Sequence, residues 1–535
     1  MATTNNNRNK HHNTIIIGAG IAGLKAAIDL TAAGISNLTI EARERVGGRL
    51  HSVETPSGEI IDIGASWFHD CLTNPLLEKY FKGENLGEKV QFAFDDSSME
   101  YYNATGRIDP KLRQFETVAN EINMYFKFIV SQRKPEDDIS LRQACFDYLK
   151  EKKYSLSKDQ IRFASQLIRY YELWIGSSWE DMSAATIACD EHKGRDALVL
   201  NGYKTVYDGE MQELLQLCDK SSFNDLINYE NSKSNAGFKL NTEVFKISKN
   251  NSTNNIEIFT RSSTNGGNVQ IFTCDSLIVT VPLSVLSLND PNEKGFINWS
   301  PPLPSDFRET LNKGGFSHLG KFFMQFSNVF WPQSDRFYVM PDEDEAFSAA
   351  IFNDGKLPIE KLSTDGLLKG KGQQKAPVLF INISYVIAKQ KNIPPSEAPA
   401  IILCLTSAPL TQQLEKLYQS NDINGLMELM NPSLSRISSK LISDLPKPEN
   451  VWMSPWSSDP YARGSYTGLP IGCDYDNLIQ TLTNPQNILG ESGVSRVRFA
   501  GEGTIDDGNG CAHAAWNTGA REAAVVKKLI NKSKL

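Results

Sequence analysis

The sequence predicts an α/β fold in which a Rossmann-like dinucleotide-binding domain is interleaved with a second domain of mixed sheet and helix. Three observations carry this. A β-branched run, Ile15-Ile16-Ile17, leads straight into Gly18-Ala19-Gly20-Ile21-Ala22-Gly23 and then a helical pattern. A long, mostly helical stretch follows, and strand-like runs return near residue 239. Near the far end, Arg498-Phe499-Ala500-Gly501-Glu502 reads as another strand that opens onto a glycine-rich helix start. One nucleotide fold is therefore expected to draw on both ends of the chain.

The first element is the most specific. Ile15 to Ile17 suit a parallel strand buried on both faces. Apolar Ile21, Leu24, Ala27 and Ile28 then fall on one helical face, and Gly34 supplies a C-terminal cap. Leu38-Thr39-Ile40 is the next strand and ends on Glu41. In this order Gly18 makes the tight turn, Gly20 lets backbone approach a pyrophosphate, and Gly23 allows close helix packing. Glu41 is placed for an adenosine ribose. Up to this point the pattern fits NAD and FAD equally.

Size and charge narrow the class. A chain of 535 residues exceeds what one core organises, so two domains or an interleaved pair are expected. Net charge −8 and pI near 5.6 argue against a nucleic-acid binder. The eight cysteines contain no Cys-x-x-Cys pair, so neither a disulfide framework nor a metal site is expected. No apolar run approaches the roughly 20 residues that span a bilayer. Residues 1–13 are polar and Asn-rich and read as a disordered tail without a signal peptide's apolar centre. The last three, Ser533-Lys534-Leu535, match a peroxisomal address, which implies an import receptor as partner.

The segment after Glu41 favours FAD, because an NAD site needs no second glycine pair and arginines so soon. Gly47-Gly48 let backbone pass close to a ligand, and Arg43 and Arg49 can neutralise pyrophosphate. Glu41-x-x-x-Arg45-x-Gly47-Gly48-Arg49 resembles the pattern shared by the flavin-containing amine oxidase family. The resemblance implies Glu41 on ribose, with Arg43, Gly48 and Arg49 around the flavin and its phosphates. It extends to Gly64-Ala65-Ser66-Trp67-Phe68-His69-Asp70, similar to the polyamine oxidase branch. There Gly64, Ala65, Ser66 and Trp67 would face the cofactor and His69 the substrate. Taken alone, His69 reads as a structural histidine.

From about 76 to 179 the pattern is helical, as at Phe115–Ile122 and Ile161–Ile168, and begins the substrate part. Trp179 is a core residue by pattern and a pocket residue by resemblance. Glu172 is a possible partner for a distal ammonium, supported by no motif. Asn201 reads either as a turn residue beside Gly202 or, by resemblance, as a substrate contact. Strands are expected at 239–247, 256–259, 269–272 and 275–282, and similarity places the Val244 backbone at adenine.

Residues 290–447 return to the substrate part, with a strand at 321–326 and a loop over 333–375. Lys321 follows Leu319-Gly320, as does the lysine beside the flavin in this family, where a cation assists reaction with oxygen. Trp456 and Glu502 are assigned to FAD and Tyr466 to an aromatic amine pocket, all by resemblance. Ser465 stands where monoamine oxidases carry the flavin-linked cysteine, which implies noncovalent FAD. Gly510-Cys511-Ala512-His513 replaces a tyrosine-bearing pattern, and Gly503 also departs from the family.

The expected organisation is a FAD domain from 14–75, 195–289 and 448–530, a substrate domain from 76–194 and 290–447, and a tail at 531–535. The expected activity is oxidation of polyamines (spermine, spermidine or N-acetyl derivatives) beside a secondary amine, with O2 reduced to H2O2. Lys321, His69 and Asn201 would carry the chemistry, with Trp179 and Tyr466 in the pocket. A family member named for corticosteroid binding keeps a hydrophobic-ligand binder open as the alternative. The preferred polyamine and the oligomeric state are not legible in the sequence.

Overall fold

The computed structural model describes residues 10–533 except 83–88, 97–98, 112–113, 188–191, 230–233, 266, 268, 359–372, 469 and 492. Its strands fall mainly into two large sheets. The first has eight strands, in the order Ala236–Lys239, Asn37–Ile40, Lys10–Ile17, Gln270–Val279, Ile256–Ser262, Thr242–Lys249 and Asn298–Ser300. Val497–Phe499 pairs with Gln270–Val279 off this path. The strands from 236 to 17 run parallel, as a Rossmann-like half requires. Ile15 and Ile17 enter one core and Ile16 another, each 5% exposed or less. Both faces are covered, which is why the run shows no polar alternation.

The glycine fingerprint packs as its spacing predicts. A Cβ on Gly23 would lie 2.0 Å from the Gly18 carbonyl oxygen, and Gly18 itself has φ +107°. The helix Ile21–Ala32 begins there and lies against the last helix, Ala512–Ser533, where a Cβ on Gly519 would meet the Ala22 carbonyl oxygen at 2.2 Å. Thr518 and Arg521 of that helix hold the backbone at Gly501, Thr504 and Phe499. The two ends of the chain are thereby locked to one another.

The second sheet has seven strands, in the order Asn450–Met453, Gly320–Phe326, Ala400–Thr406, Val378–Ile381, Arg336–Val339, Met99–Asn103 and Gly106–Ile108. Gly320–Phe326 and Ala400–Thr406 are buried along their whole length, between two apolar clusters. A small three-stranded sheet, Trp67–Phe68, Ala197–Val199 and Phe92–Phe94, lies between the parts. No helix among the described residues is long and apolar enough to cross a membrane.

Several expectations are corrected. Residues 10–13 are strand rather than tail, because Lys10, His11 and His12 pair with Phe272, Thr273 and Cys274; residues 1–9 lie outside the described ones. The stretches 269–272 and 275–282 form one ten-residue strand, whose first half is antiparallel to Ile256–Ser262 and whose second half is parallel to Val497–Phe499. Its middle, Thr273-Cys274-Asp275, reads as a break only because the partner changes there. The stretch 76–179 is interrupted by strands at Phe92–Phe94, Met99–Asn103 and Gly106–Ile108, where aromatic residues favour a pleated surface. The expected loop 333–375 contains the strand Arg336–Val339 and the helix Glu345–Phe352. Asn298–Ser300 joins the first sheet and Asn450–Met453 the second, so the boundaries drawn at 290 and 448 each miss an edge strand. Pairing across long sequence separations decides such edges.

Candidate active site

A deep cleft opens beside the fingerprint. Its empty space, open solvent at the mouth included, is about 1580 Å³. Gly18, Gly20, Glu41, Arg43, Gly48, Arg49, Gly64, Ala65, Ser66, Trp67, His69, Val244, Lys321, Trp456, Tyr466 and Glu502 all line it. A residue set spread over more than 480 positions thus converges on one cavity.

Its nucleotide end has the parts an anionic dinucleotide needs. The first helix starts at Gly20 without any side-chain cap, and its leading residues Ile21 and Ala22 face the cleft. Uncapped first-turn amides and the positive end of the helix dipole form an anion site. Open space surrounds the position a Gly20 Cβ would occupy. Glu41 is 4% exposed and accepts from the Ala19 amide (2.8 Å) and the Arg43 amide (2.9 Å). The two amides fix its carboxylate beside the glycine turn. Arg43 is engaged differently from the expectation: its guanidinium forks onto Asp459 at 2.9 and 3.2 Å. Arg49 donates to Glu502 (2.9 Å) and to the Ser465 carbonyl (3.0 Å). Glu502 also accepts from the Thr467 amide and hydroxyl. This Arg49–Glu502 pair joins the two chain ends inside the cleft. These donors and the open glycine face fit a dinucleotide cofactor.

Another part of the cleft is built around Lys321. Its ammonium donates to the Gly64 carbonyl (2.5 Å), the Asp62 carbonyl (3.3 Å) and Ser66 Oγ, and sits 4.9 Å from the Trp67 ring centre. Gly64 is required there, because a Cβ would lie 2.0 Å from the Arg49 carbonyl oxygen. Burial pushes the Lys321 pKa down to about 8, against the opposing pull of Asp62. Burial also pushes Asp62 up to about 6, although Lys321, the Ser52 hydroxyl and the Tyr203 amide favour its charged form. Trp456 donates to the Ile63 carbonyl at 2.9 Å, supporting the same wall. Ser465 Oγ accepts from the Leu319 amide and donates to the Ser317 carbonyl, both at 2.9 Å. That hydroxyl is therefore bound into the backbone that presents Lys321.

His69 faces the cleft with Nδ1 3.1 Å from Asp196 Oδ1. His192 Nδ1 lies 2.9 Å from the other oxygen of the same carboxylate. Burial would raise the Asp196 carboxyl, but the two imidazoles outweigh it and hold it well below the usual range. Burial lowers the His69 pKa more than Asp196 and Asp70 raise it. Trp67, His69, His192 and Trp174 form a row of rings, with successive centroids 6.3, 4.4 and 4.6 Å apart. Tyr466 lines the cleft, and its hydroxyl donates to the Trp174 carbonyl.

Other expectations move. Trp179 is a core residue, packed on Phe347 and flanked by Arg142 and Arg169, and does not line the cleft. Glu172 pairs with Arg169 at 2.5 Å in full burial, so it serves that guanidinium. Asn201 accepts from the Gln91 amide (2.9 Å) and donates to the Lys89 carbonyl (3.0 Å), which is turn architecture away from the cleft. Gly510, Cys511 and Ala512 line the cleft where the resemblance led one to look for an aromatic wall. Behind them Asp70, Cys511 and His513 gather, with His513 Nε2 3.4 Å from Asp70. Sequence reasoning missed Asp196 and His192. The signal was the antiparallel register Trp67↔Leu198 and Phe68↔Ala197, which sets His69 across from Asp196 one step further on.

Comparison with known proteins agrees on the family. A model of the family described as flavin containing amine oxidoreductase matches residues 21–527. The chain is 30% identical to a corticosteroid-binding protein of Candida albicans, over 98% of this chain and 97% of that protein. It is 25% identical to polyamine oxidase 4 of Oryza sativa, over 96% and 88% of the respective chains. Identity to polyamine oxidase 2 of Arabidopsis thaliana is 24%, over 95% and 86%.

Proposed function

Because the chain belongs to the flavin-containing amine oxidoreductase family, we propose that it is a polyamine oxidase holding noncovalent FAD. When bound, FAD would accept a hydride equivalent from the carbon beside a secondary amine and pass the electrons to O2, leaving an imine for hydrolysis and H2O2. The observation that carries the substrate class is the wall beside Lys321: an imidazole backed by a carboxylate, set in a row of aromatic rings. Aromatic faces attract ammonium groups and cover alkyl chain. A steroid has no cation for such a wall to bind.

The chain's own residues have two tasks. Alkyl amines are mostly protonated at neutral pH, and an amine without a free lone pair cannot be oxidised. His69, kept neutral by burial, is the group that receives the proton of the reacting ammonium. Lys321, bound to Gly64 and Ser66, holds a positive charge where a reduced flavin would meet oxygen. Noncovalent attachment is supported by Ser465, a hydroxyl engaged by backbone. The terminal Ser533-Lys534-Leu535 supports a peroxisomal site for a peroxide-forming enzyme; the last two of these residues lie outside the described ones.

A second reading has its own observation. Gly510, Cys511 and Ala512 line the cleft, and Tyr466 packs onto Gly510, where a Cβ would lie 3.4 Å from the ring. A wall of small residues and one tyrosine carries no fixed charge, which suits a flat hydrophobic ligand. One experiment separates the two: anaerobic mixing of the yellow protein with spermine, spermidine, their N-acetyl forms and a corticosteroid. Bleaching by a polyamine is expected. Tight steroid binding with no bleaching by any amine overturns the oxidase.

A further inference from the structure

We propose that Asp62 is a positioning residue for Lys321: its buried carboxylate is the counter-charge that holds the Lys321 ammonium in the cleft wall. No motif and no resemblance assigned Asp62 a role. The charge pairing is independent of any cofactor, whereas its consequence for oxygen chemistry rests on the flavin reading above.

The donors around Asp62 hold it as the anion. It ends the strand Ile60–Asp62, which pairs with Ser52–Glu54 so that Asp62 stands opposite Ser52. The Ser52 hydroxyl donates to Oδ1 at 2.5 Å, and the Tyr203 amide lies 3.0 Å from both carboxylate oxygens. Ser52 Oγ itself accepts from the Lys204 amide at 3.1 Å, which leaves the hydroxyl hydrogen for the carboxylate. Tyr203 and Lys204 open the helix Lys204–Leu217, so the positive end of that helix faces Asp62. Lys321 has the complementary surroundings. A lysine ammonium has three hydrogens and no acceptor site. Three acceptors surround this one: the Gly64 carbonyl at 2.5 Å, the Asp62 carbonyl at 3.3 Å and Ser66 Oγ. Ser66 sends its own hydrogen to the Asp62 carbonyl at 3.4 Å, so its oxygen is left to accept from Lys321.

Asp62 and Lys321 are 5% and 6% exposed, so water answers neither charge. Lys321 lies on the strand Gly320–Phe326, between Ala400–Thr406 and Asn450–Met453. The one titratable side chain on those two neighbours is Cys404, a thiol pushed up by burial and packed with Phe322 in the opposite cluster. Residues 63–68 carry no titratable group. Further along, His69 lies beside Asp196, and Arg49 is answered by Glu502. Around Asp62, Glu54 is exposed, and Lys204 is exposed and paired with Asp208. Among the described residues, each of the two buried charges thus has the other as its counter-charge, while burial opposes both. The Asp62 carboxylate is turned to Ser52 and Tyr203, so it acts on the ammonium through space, where a dry interior screens it little.

The test is Asp62→Asn in the flavin-loaded protein, which keeps the shape and an acceptor for Ser52 and Tyr203 while removing the charge. The 13Cε resonance of Lys321, assigned by its loss in Lys321→Met, is followed against pH in lysine-labelled protein. The wild type should titrate at about pH 8. In Asp62→Asn the midpoint should fall by about one pH unit or more, and the pH dependence of flavin reoxidation by O2 should move down with it. An unchanged or raised lysine midpoint overturns the proposal. Urea unfolding gives a second reading that needs no flavin chemistry. Lys321→Met should destabilise the wild type, where it leaves Asp62 alone, and stabilise Asp62→Asn, where it removes a lone buried ammonium. Equal effects in the two backgrounds overturn the pairing. If Asp62→Asn does not fold, the double variant should fold, and failure of that rescue overturns the proposal as well. If the lysine titrates as expected while wild-type reoxidation ignores pH, the flavin reading falls and the charge pair stands.

Discussion

Lys321 shows what a single side chain can acquire from its surroundings. A strand-end lysine on a surface would be charged at any physiological pH. Here burial brings its pKa down to about 8. The sign follows: the ammonium is present below about pH 8 and is lost as pH rises through that value. Reoxidation of reduced flavin by O2 should therefore slow across pH 7.5–9 in stopped-flow traces. Lys321→Met should slow it about 10²-fold at pH 7 and flatten that dependence, while reduction by amine changes little. Ser465 makes a second residue-level point. Its hydroxyl is already satisfied by Leu319 and Ser317, so denaturation should release all flavin through a filter. Retention of colour on the chain would refute noncovalent binding. Lys321 and Ser465 were legible through their neighbours in sequence. Asp196 was not, because nothing local in Arg195-Asp196-Ala197 marks it; its meaning comes from strand pairing 127 positions away.

Among elements, the opening strand, glycine turn and helix are the most legible. Period, glycine spacing and the closing acid all agree there, so local and long-range preferences point the same way. Gly23→Ala tests that agreement. Its Cβ would press on the Gly18 carbonyl oxygen at 2.0 Å, and neither backbone can yield cheaply. A loss of about 1–3 kcal/mol is expected in chemical denaturation, with weakened flavin retention. The strand Gln270–Val279 was the harder case. Its polar centre reads as a break, yet the chain runs on because its edge changes partner from Ile256–Ser262 to Val497–Phe499. Periodicity reports the burial of faces and is silent about edges. The same limit explains Asn298–Ser300 and Asn450–Met453, short strands assigned to a sheet only by their partners.

For the molecule as a whole, the consequential fact is that the cleft is closed by both chain ends. Arg49 and Glu502 meet at 2.9 Å, and the helices beginning at Ile21 and Ala512 pack at Ala22 and Gly519. Glu502→Gln keeps the shape but removes the charge that answers Arg49. Losing one charge-assisted contact costs about 1–3 kcal/mol, so flavin dissociation should quicken ten-fold or more, read by fluorescence of released flavin. The terminal tripeptide belongs to the same level, since it addresses the whole protein. A fluorescent fusion should be punctate with Ser533-Lys534-Leu535 and diffuse without it; diffuse signal in both removes the peroxisomal proposal.

Where chemistry needs residues close along the chain, the sequence alone was decisive. The fingerprint, Glu41, the Gly47-Gly48 pair and the Gly501-Glu502 start each carry their own spacing, and together they identified a dinucleotide fold and its family. Folding decided the substrate wall. Trp179 and Asn201 matched by position, yet burial took one into a helical core and a turn took the other. Asp196 and His192, which no motif marked, were brought to His69 by the register of a two-residue strand. The difference is physical: local backbone geometry is written in adjacent residues, whereas a pocket is made by pairing and packing between segments that share no local signal.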